Sequence, residues 1–188
     1  MEPAPGRIEV VAGPMFAGKT EELLRRVRRA VIGRRGVQVF THALDTRPGP
    51  DRIASHVGLE HPSRAVTSAS EIPRLIAPAT DIVAIDEAHF FGVELAPVVE
   101  DLAGRGLVVM VAGLDVTFAG RPFEPLPSLM AVAERVDKLT AICAVCGEEA
   151  VFHQRIAPVA AEDRELVAEH VGGEEKYEAR CRRHFAPG

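Results

Sequence analysis

Gly13-Pro14-Met15-Phe16-Ala17-Gly18-Lys19-Thr20 has the spacing G-x-x-x-x-G-K-[ST]. The glycines let the backbone turn so that successive N–H groups face phosphate oxygens. Lys19 then reaches the β- and γ-phosphates, and the Thr20 hydroxyl ligates Mg²⁺. Sixty-six residues beyond Thr20 stands an acidic pair, Asp86-Glu87, directly after the apolar run Ile82–Ile85. Side chains alternate in direction along a strand. One acid can therefore serve a phosphate-bound metal while the other faces an acceptor.

A third group is Cys143-x-x-Cys146 with Cys181-x-x-His184. Two ligands two residues apart can grip one metal from a tight turn, and two such pairs complete a tetrahedral Cys₃His site. All three cysteines of the chain are used. Four protein ligands leave no open position, so a structural zinc is expected, not a catalytic one.

These groups need a scaffold. Arg7–Ala12 reads as a buried strand ending at Gly13. From Thr20 the pattern becomes helical, with Leu23, Leu24, Val27, Ala30 and Val31 on one face. Glu21 and Glu22 suit its N-terminal dipole, and Gly33 and Gly36 close it. Val37–Thr41 is a second strand, and Asp45 to Pro62 a loop of turn formers. A short strand over Ala65–Thr67, a Ser70-capped helix over Glu71–Ala77, the strand Ile82–Ile85, a helix over Leu95–Ala103 and a strand over Leu107–Ala112 complete the pattern. Strands alternating with helices predict an α/β fold, a P-loop (RecA-like) parallel sheet with helices on both faces. The character changes near Thr140. Residues 1–140 are expected to form the nucleotide-binding domain and 141–188 a small zinc-binding domain. The arginines at 25, 26, 28, 29, 34 and 35 read as the solvated face of the first helix. Histidines 42, 56, 61, 89, 153 and 170 have no ligand spacing and read as core or solvent residues.

Composition excludes several classes. The chain has 188 residues, of which 47% are hydrophobic, with 22 basic against 27 acidic side chains, a net charge of −5. Residues 141–188 hold six basic and nine acidic residues, against nucleic-acid binding by the ribbon. Asp86-Glu87-Ala88-His89 spells the DEAH of helicases, but such motors need two nucleotide-binding domains of roughly 150 residues each, and this chain has room for one. The longest apolar run, Leu107 to Leu114, is far short of the roughly 20 residues that span a bilayer. Residues 1–6 have neither the basic nor the apolar region of a secretory signal, so a cytoplasmic protein is expected.

From about Arg7 to Phe185 the chain resembles the type II thymidine kinases, P-loop kinases with a zinc-bound lasso. The matching stretches are Gly13–Thr20, Asp45-Thr46-Arg47, Ile85-Asp-Glu-Ala-His-Phe-Phe91, Gly113-Leu-Asp-Val-Thr-Phe118, Arg121-Pro-Phe123, Asp137-Lys-Leu-Thr-Ala-Ile-Cys143 with Cys146, and Gly172-Gly-Glu-Glu-Lys-Tyr177. The resemblance implies ATP:thymidine 5′-phosphotransferase activity, forming dTMP for nucleotide salvage. It implies Glu87 as general base and Asp86 as an aid to Mg²⁺. Asp45, Thr46, Arg47, Ala88 and His89 join the phosphate loop in holding ATP. Met15, Phe90, Leu114, Phe118 and Phe123 would wall the thymine pocket. Ala168, Glu169, His170, Val171 and Gly172, with Tyr177, would lie over the nucleoside. A homotetramer and inhibition by dTTP are further implications. The chain departs from the family pattern twice: His89 replaces a usual glutamine, and His153 the threonine or serine that the resemblance places in the base pocket.

Most acceleration is expected from alignment and charge neutralisation by Lys19, Mg²⁺, the loop amides and an arginine, with Arg47 and Arg155 as candidates. Loss of zinc is expected to disturb the cover over the nucleoside much more than the ATP site, which is built by residues 13–20. An ATP-binding regulatory NTPase without a nucleoside acceptor would keep the phosphate loop and lack the pocket.

Overall fold

A computed structural model describes residues 5–45, 52–54, 60–156 and 176–186. In chain order its elements are β1 (Arg7–Gly13), α1 (Lys19–Ile32), β2 (Val37–His42), β3 (Arg52–Ala54), β4 (Glu60–Pro62), β5 (Arg64–Val66), α2 (Ile72–Leu75) and β6 (Ile82–Ile85). Then come α3 (Leu95–Gly104), β7 (Val108–Leu114), α4 (Leu126–Val132), β8 (Arg135–Lys138), β9 (Ala141–Ile142), β10 (Glu149–Ala150), β11 (Phe152–Arg155) and β12 (Tyr177–Arg180).

Six strands form one sheet in the order β5-β2-β6-β7-β1-β8. Every neighbouring pair is parallel, as the alternation of strands and helices predicts. β1 runs in register with β7, from Arg7 opposite Val108 to Gly13 opposite Leu114. The strands therefore end along one edge. Gly13, Ile85 and Leu114 each release the chain there, the edge where ligands bind in open α/β sheets.

The period-2 alternation of the strands builds two cores. Val10, Ala12, Val83, Ile85, Val109 and Val111 face α3 and α4, meeting Leu95, Val99, Leu102, Leu126 and Leu129. Val11, Ala84, Met110 and Ala112 face α1, meeting Leu23, Leu24 and Val27. Because both faces are covered, the central strands are apolar apart from Glu9 of β1 and the Arg7 that begins it.

Four sequence expectations change. Arg26 is buried, not part of a solvated face: it bonds Glu22 at 2.8 Å, Glu9 at 3.1 Å and Asp137 at 2.6 Å, tying α1 to β1 and β8. Val31 is half exposed, not part of the buried face of α1. The loop from Asp45 to Pro62 contains an antiparallel pair, β3 with β4. The helix over 71–77 is shorter: a 3₁₀ turn over Ala69–Glu71 precedes α2, and its cap is Ser68, not Ser70. There the Glu71 carboxylate accepts the backbone N–H groups of Thr67 and Ser68, a capping box. Among the described residues no helix is long and apolar enough to cross a membrane.

Beyond β8 the chain forms two short antiparallel ribbons, β9 with β10 and β11 with β12. Their small core of Ala141, Cys143, Ala150 and Ala179 packs against Phe16 and Ala17 of the phosphate loop. The ATP loop is thus in contact with the C-terminal ribbons, a contact not legible in the sequence.

Candidate active site and metal site

The phosphate loop needs unusual backbone angles. Gly18 sits at φ 78° and caps α1. A Cβ at Gly13 would lie 2.7 Å from the Leu139 carbonyl oxygen, so the loop closes tightly only around glycine. Lys19 is buried, and its Nζ donates to the Pro14 carbonyl at 2.6 Å, held across the loop. Thr20 Oγ1 donates to Asp86 Oδ2 at 2.9 Å. Asp86 has the strand parity of Ala84, the α1 side of the sheet, which is why it meets the first turn of α1. These two hard oxygen donors fit Mg²⁺, which takes one or two protein oxygens plus substrate phosphates.

Glu87 follows at φ 50°, ψ 42°, a left-handed conformation that costs a non-glycine residue about 1–2 kcal/mol. Asp86 is bonded to Thr20 and Glu87 lies against His89, but a left-handed turn beyond the end of β6, not strand alternation, sets the direction of Glu87. Its carboxylate lies 3.4 Å from Nε2 of His89. Nδ1 of His89 in turn accepts the Leu114 backbone N–H at 3.2 Å.

Beside these acids lies a small cleft lined by Met15, His89, Leu114, Thr117, Phe118, Phe123, His153 and Tyr177. Five of these are residues to which the family resemblance assigns the nucleoside. Phe90 is not among them. It is buried behind the cleft, its ring 4.4 Å from His89 and 6.0 Å from His42. His153 also lines the cleft, at the position where the family resemblance puts a base-pocket residue. Thr117 and His89 join the lining without having been assigned to it; Thr117 lies within the Gly113–Phe118 stretch, and His89 within Ile85–Phe91.

His153 is buried at the start of the ribbons, and its Nδ1 accepts the Met15 N–H at 3.4 Å. Burial, then the proximity of Lys19 and His89, pushes its ring down to about 3. It is neutral at physiological pH. Its ring meets Tyr177 edge-on at 5.8 Å. His42, by contrast, is a core histidine: it accepts from Leu44 N–H, contacts the Thr67 carbonyl and packs edge-on against Phe91. Asp115 is buried next to the cleft and ion-paired with Lys138. Arg155 lies on β11 opposite Tyr177. Asp45 closes a turn on His42. Thr46, Arg47 and Ala168–Gly172 lie outside the described residues.

The ligand atoms of Cys143, Cys146, Cys181 and His184 all lie within 4.8 Å of one another. Cys146 and Cys181 sulfurs are 3.8 Å apart, and His184 Nδ1 is 3.3 Å from Cys181 and 3.7 Å from Cys143. Tetrahedral zinc with its usual bond lengths requires about 3.8 Å between sulfurs and about 3.5 Å from sulfur to nitrogen. The donor set and spacing therefore fit zinc. Against the effect of burial, which raises it, backbone N–H groups of Cys181, Val145 and Cys146 and the His184 ring bring the Cys143 thiol down to about 5. That favours the thiolate, the form that binds metal.

Comparison with known proteins adds the following. The family model described as thymidine kinase matches residues 6–185. A curated thymidine kinase of Bdellovibrio bacteriovorus is 48% identical over 182 residues, 97% of this chain and 86% of that protein. Among solved structures, domain III of the Thermotoga maritima replication initiation protein DnaA matches with a TM-score of 0.44 at 16% identity, over 71% of this chain and 55% of that one. The cytoplasmic domain of the Thermomonospora curvata Type VII secretion ATPase EccC matches with a TM-score of 0.44 at 12% identity, over 94% and 24%.

Proposed function

The chain belongs to the thymidine kinase family, and from that premise we propose that its chemistry runs between the phosphate loop and the cleft beside Glu87. The reaction is ATP-dependent phosphorylation of thymidine. In our reading Gly13–Thr20 cradles ATP, with Asp45, Thr46, Arg47, Asp86, Ala88 and His89 contributing around it. Thymidine occupies the cleft with its 5′-hydroxyl toward Glu87. The observation that carries this is the divergence of the two acids: Asp86 faces Thr20, and Glu87 turns toward the cleft wall.

The role of Glu87 follows from magnitudes. An alcohol with a pKa near that of water, roughly 15.7, stands about 11 units above a carboxylate. Full deprotonation before transfer would cost on the order of 15 kcal/mol. Glu87 therefore orients the hydroxyl and accepts its proton late, as phosphoryl transfer with a loose transition state allows. Lys19 and the loop amides neutralise the charge on the transferring group. Thr20 and Asp86 would hold Mg²⁺, which when bound screens the β- and γ-phosphate oxygens. Release of the Lys19 ammonium from the Pro14 carbonyl frees it for phosphate.

Cys143, Cys146, Cys181 and His184 hold a structural zinc in this reading. Residues 1–140 form the ATP-binding domain, and 141–188 a lasso whose stretch Ala168–Gly172, with Tyr177, covers the nucleoside. Following the family, the proposal extends to a homotetramer, inhibition by dTTP and a cytoplasmic location. The test is a panel of nucleosides with Mg-ATP. ADP release should depend on thymidine and be stoichiometric with dTMP. Release that is equal without nucleoside would favour a regulatory NTPase.

A further inference from the structure

We propose that His89 is a positioning residue for Glu87, acting through a proton fixed on Nε2 by the backbone of β7. This rests on Glu87 being the base. The Leu114 N–H donates to Nδ1 at 3.2 Å, so Nδ1 carries no proton. A neutral imidazole has one N–H, which must then be on Nε2. Nε2 is the nitrogen 3.4 Å from Glu87 Oε2. The ring thus spans from β7 to the carboxylate, with the nitrogen that carries its one N–H 3.4 Å from Glu87 Oε2.

The surroundings leave the ring little choice of orientation. It is almost fully buried, 4.4 Å from the Phe90 ring and 5.2 Å from the Phe123 ring. Leu114 is the last residue of β7, buried and paired with Gly13 of β1, so its N–H is a fixed reference point. The Glu87 backbone turns through a left-handed conformation directly after β6, its carbonyl accepting the Phe90 N–H at 3.0 Å. A tie from a neighbouring strand is what would hold its carboxylate toward an acceptor hydroxyl. A donor also leaves Glu87 charged and able to take a proton, whereas a cationic partner would weaken it as a base. Protonating Nδ1 would set it against the Leu114 N–H, so the backbone bond selects the neutral ring.

Two substitutions separate this role from a merely structural one. His89→Asn keeps an acceptor near Leu114 but is too short to reach Glu87. His89→Gln is long enough to present an N–H to Glu87. We expect His89→Asn to lower kcat about 10- to 100-fold, the scale of a catalytic group displaced by about 1 Å, a larger factor than any rise in the KM for ATP or thymidine. His89→Gln should restore most of that loss. In a Glu87→Gln background, His89→Asn should add almost nothing, because the two residues act as one unit. A His89→Asn enzyme with wild-type kcat, or a loss that glutamine does not relieve, overturns the proposal while Glu87 remains the base. Near wild-type turnover by Glu87→Gln alone instead overturns the base assignment. Circular dichroism and zinc content of each variant distinguish a folding failure, and a His89→Asn protein that cannot fold where His89→Gln folds but lacks turnover also counts against the proposal.

Discussion

Burial of His153 makes the protein sensitive to acid in a way that can be worked out. The ring titrates near 3 in the folded chain and near 6.5 when unfolded. Between those values the unfolded chain binds a proton that the folded chain does not, so stability falls as pH falls. The loss begins at about pH 6.5 and is complete near 3. At about pH 5 the unfolded ring is protonated by one and a half units, worth about 2 kcal/mol. Glutamine at 153 can still accept the Met15 N–H and does not titrate. We would measure urea unfolding of the zinc-loaded protein and of His153→Gln at about pH 7.5 and pH 5. The wild type should lose about 2 kcal/mol more than the variant between the two conditions. Acid effects on the zinc ligands are common to both proteins and cancel in this comparison. Equal losses would mean that His153 is not held neutral in the fold, and the reasoning would fail.

Elemental analysis should find one zinc per chain. Cys181→Ser should raise the thymidine KM most, because His153 and Tyr177 line the cleft from within the zinc-closed stretch. The ATP KM should rise less but measurably, since Phe16 and Ala17 pack on the ribbon core; an unchanged thymidine KM in metal-free protein would refute the link. Lys19→Ala should abolish productive ATP use, as the phosphates lose their buried cation, and unchanged kinetics would exclude the phosphate-loop assignment. Arg26→Ala leaves Glu9 buried beside fewer partners and should cost about 3 kcal/mol in denaturant unfolding, the scale of a broken buried pair. A loss below about 1 kcal/mol would mean that the network is solvated.

The phosphate loop, the acid pair and the zinc quartet were legible because short spacings along the chain largely set their geometry. A glycine-bounded turn before a helix, or two ligands two residues apart, has few ways to fold. The apolar runs likewise gave away the parallel sheet, since strands covered on both faces cannot alternate with polar residues. What was hidden depends on distant elements meeting. Arg26 was counted with five other arginines, yet it shares a helix face with Leu23 and Val27. The clue lay in Glu9, a carboxylate in the middle of an otherwise apolar strand, which needs a buried cation.

The histidines show the same division. His42, His89 and His153 look alike as isolated letters, and each is buried. Only the convergence of β2, β7 and β11 separates one packed in the core from two that line a cleft. The β3–β4 pair escaped for another reason: Pro48, Gly49, Pro50 and Gly58 dominated the composition and masked two three-residue strands.

Replacement of Glu87 by glutamine tests the central claim most directly, because the amide keeps the shape and removes the proton acceptor. The measurement is single-turnover phosphoryl transfer from ATP to thymidine, with the affinity of both substrates measured by calorimetry on the same preparation. The account predicts affinities within a few-fold of wild type and a transfer rate lower by about 10²–10⁴-fold, the usual worth of a general base. A transfer rate near wild type, with binding intact, would contradict it.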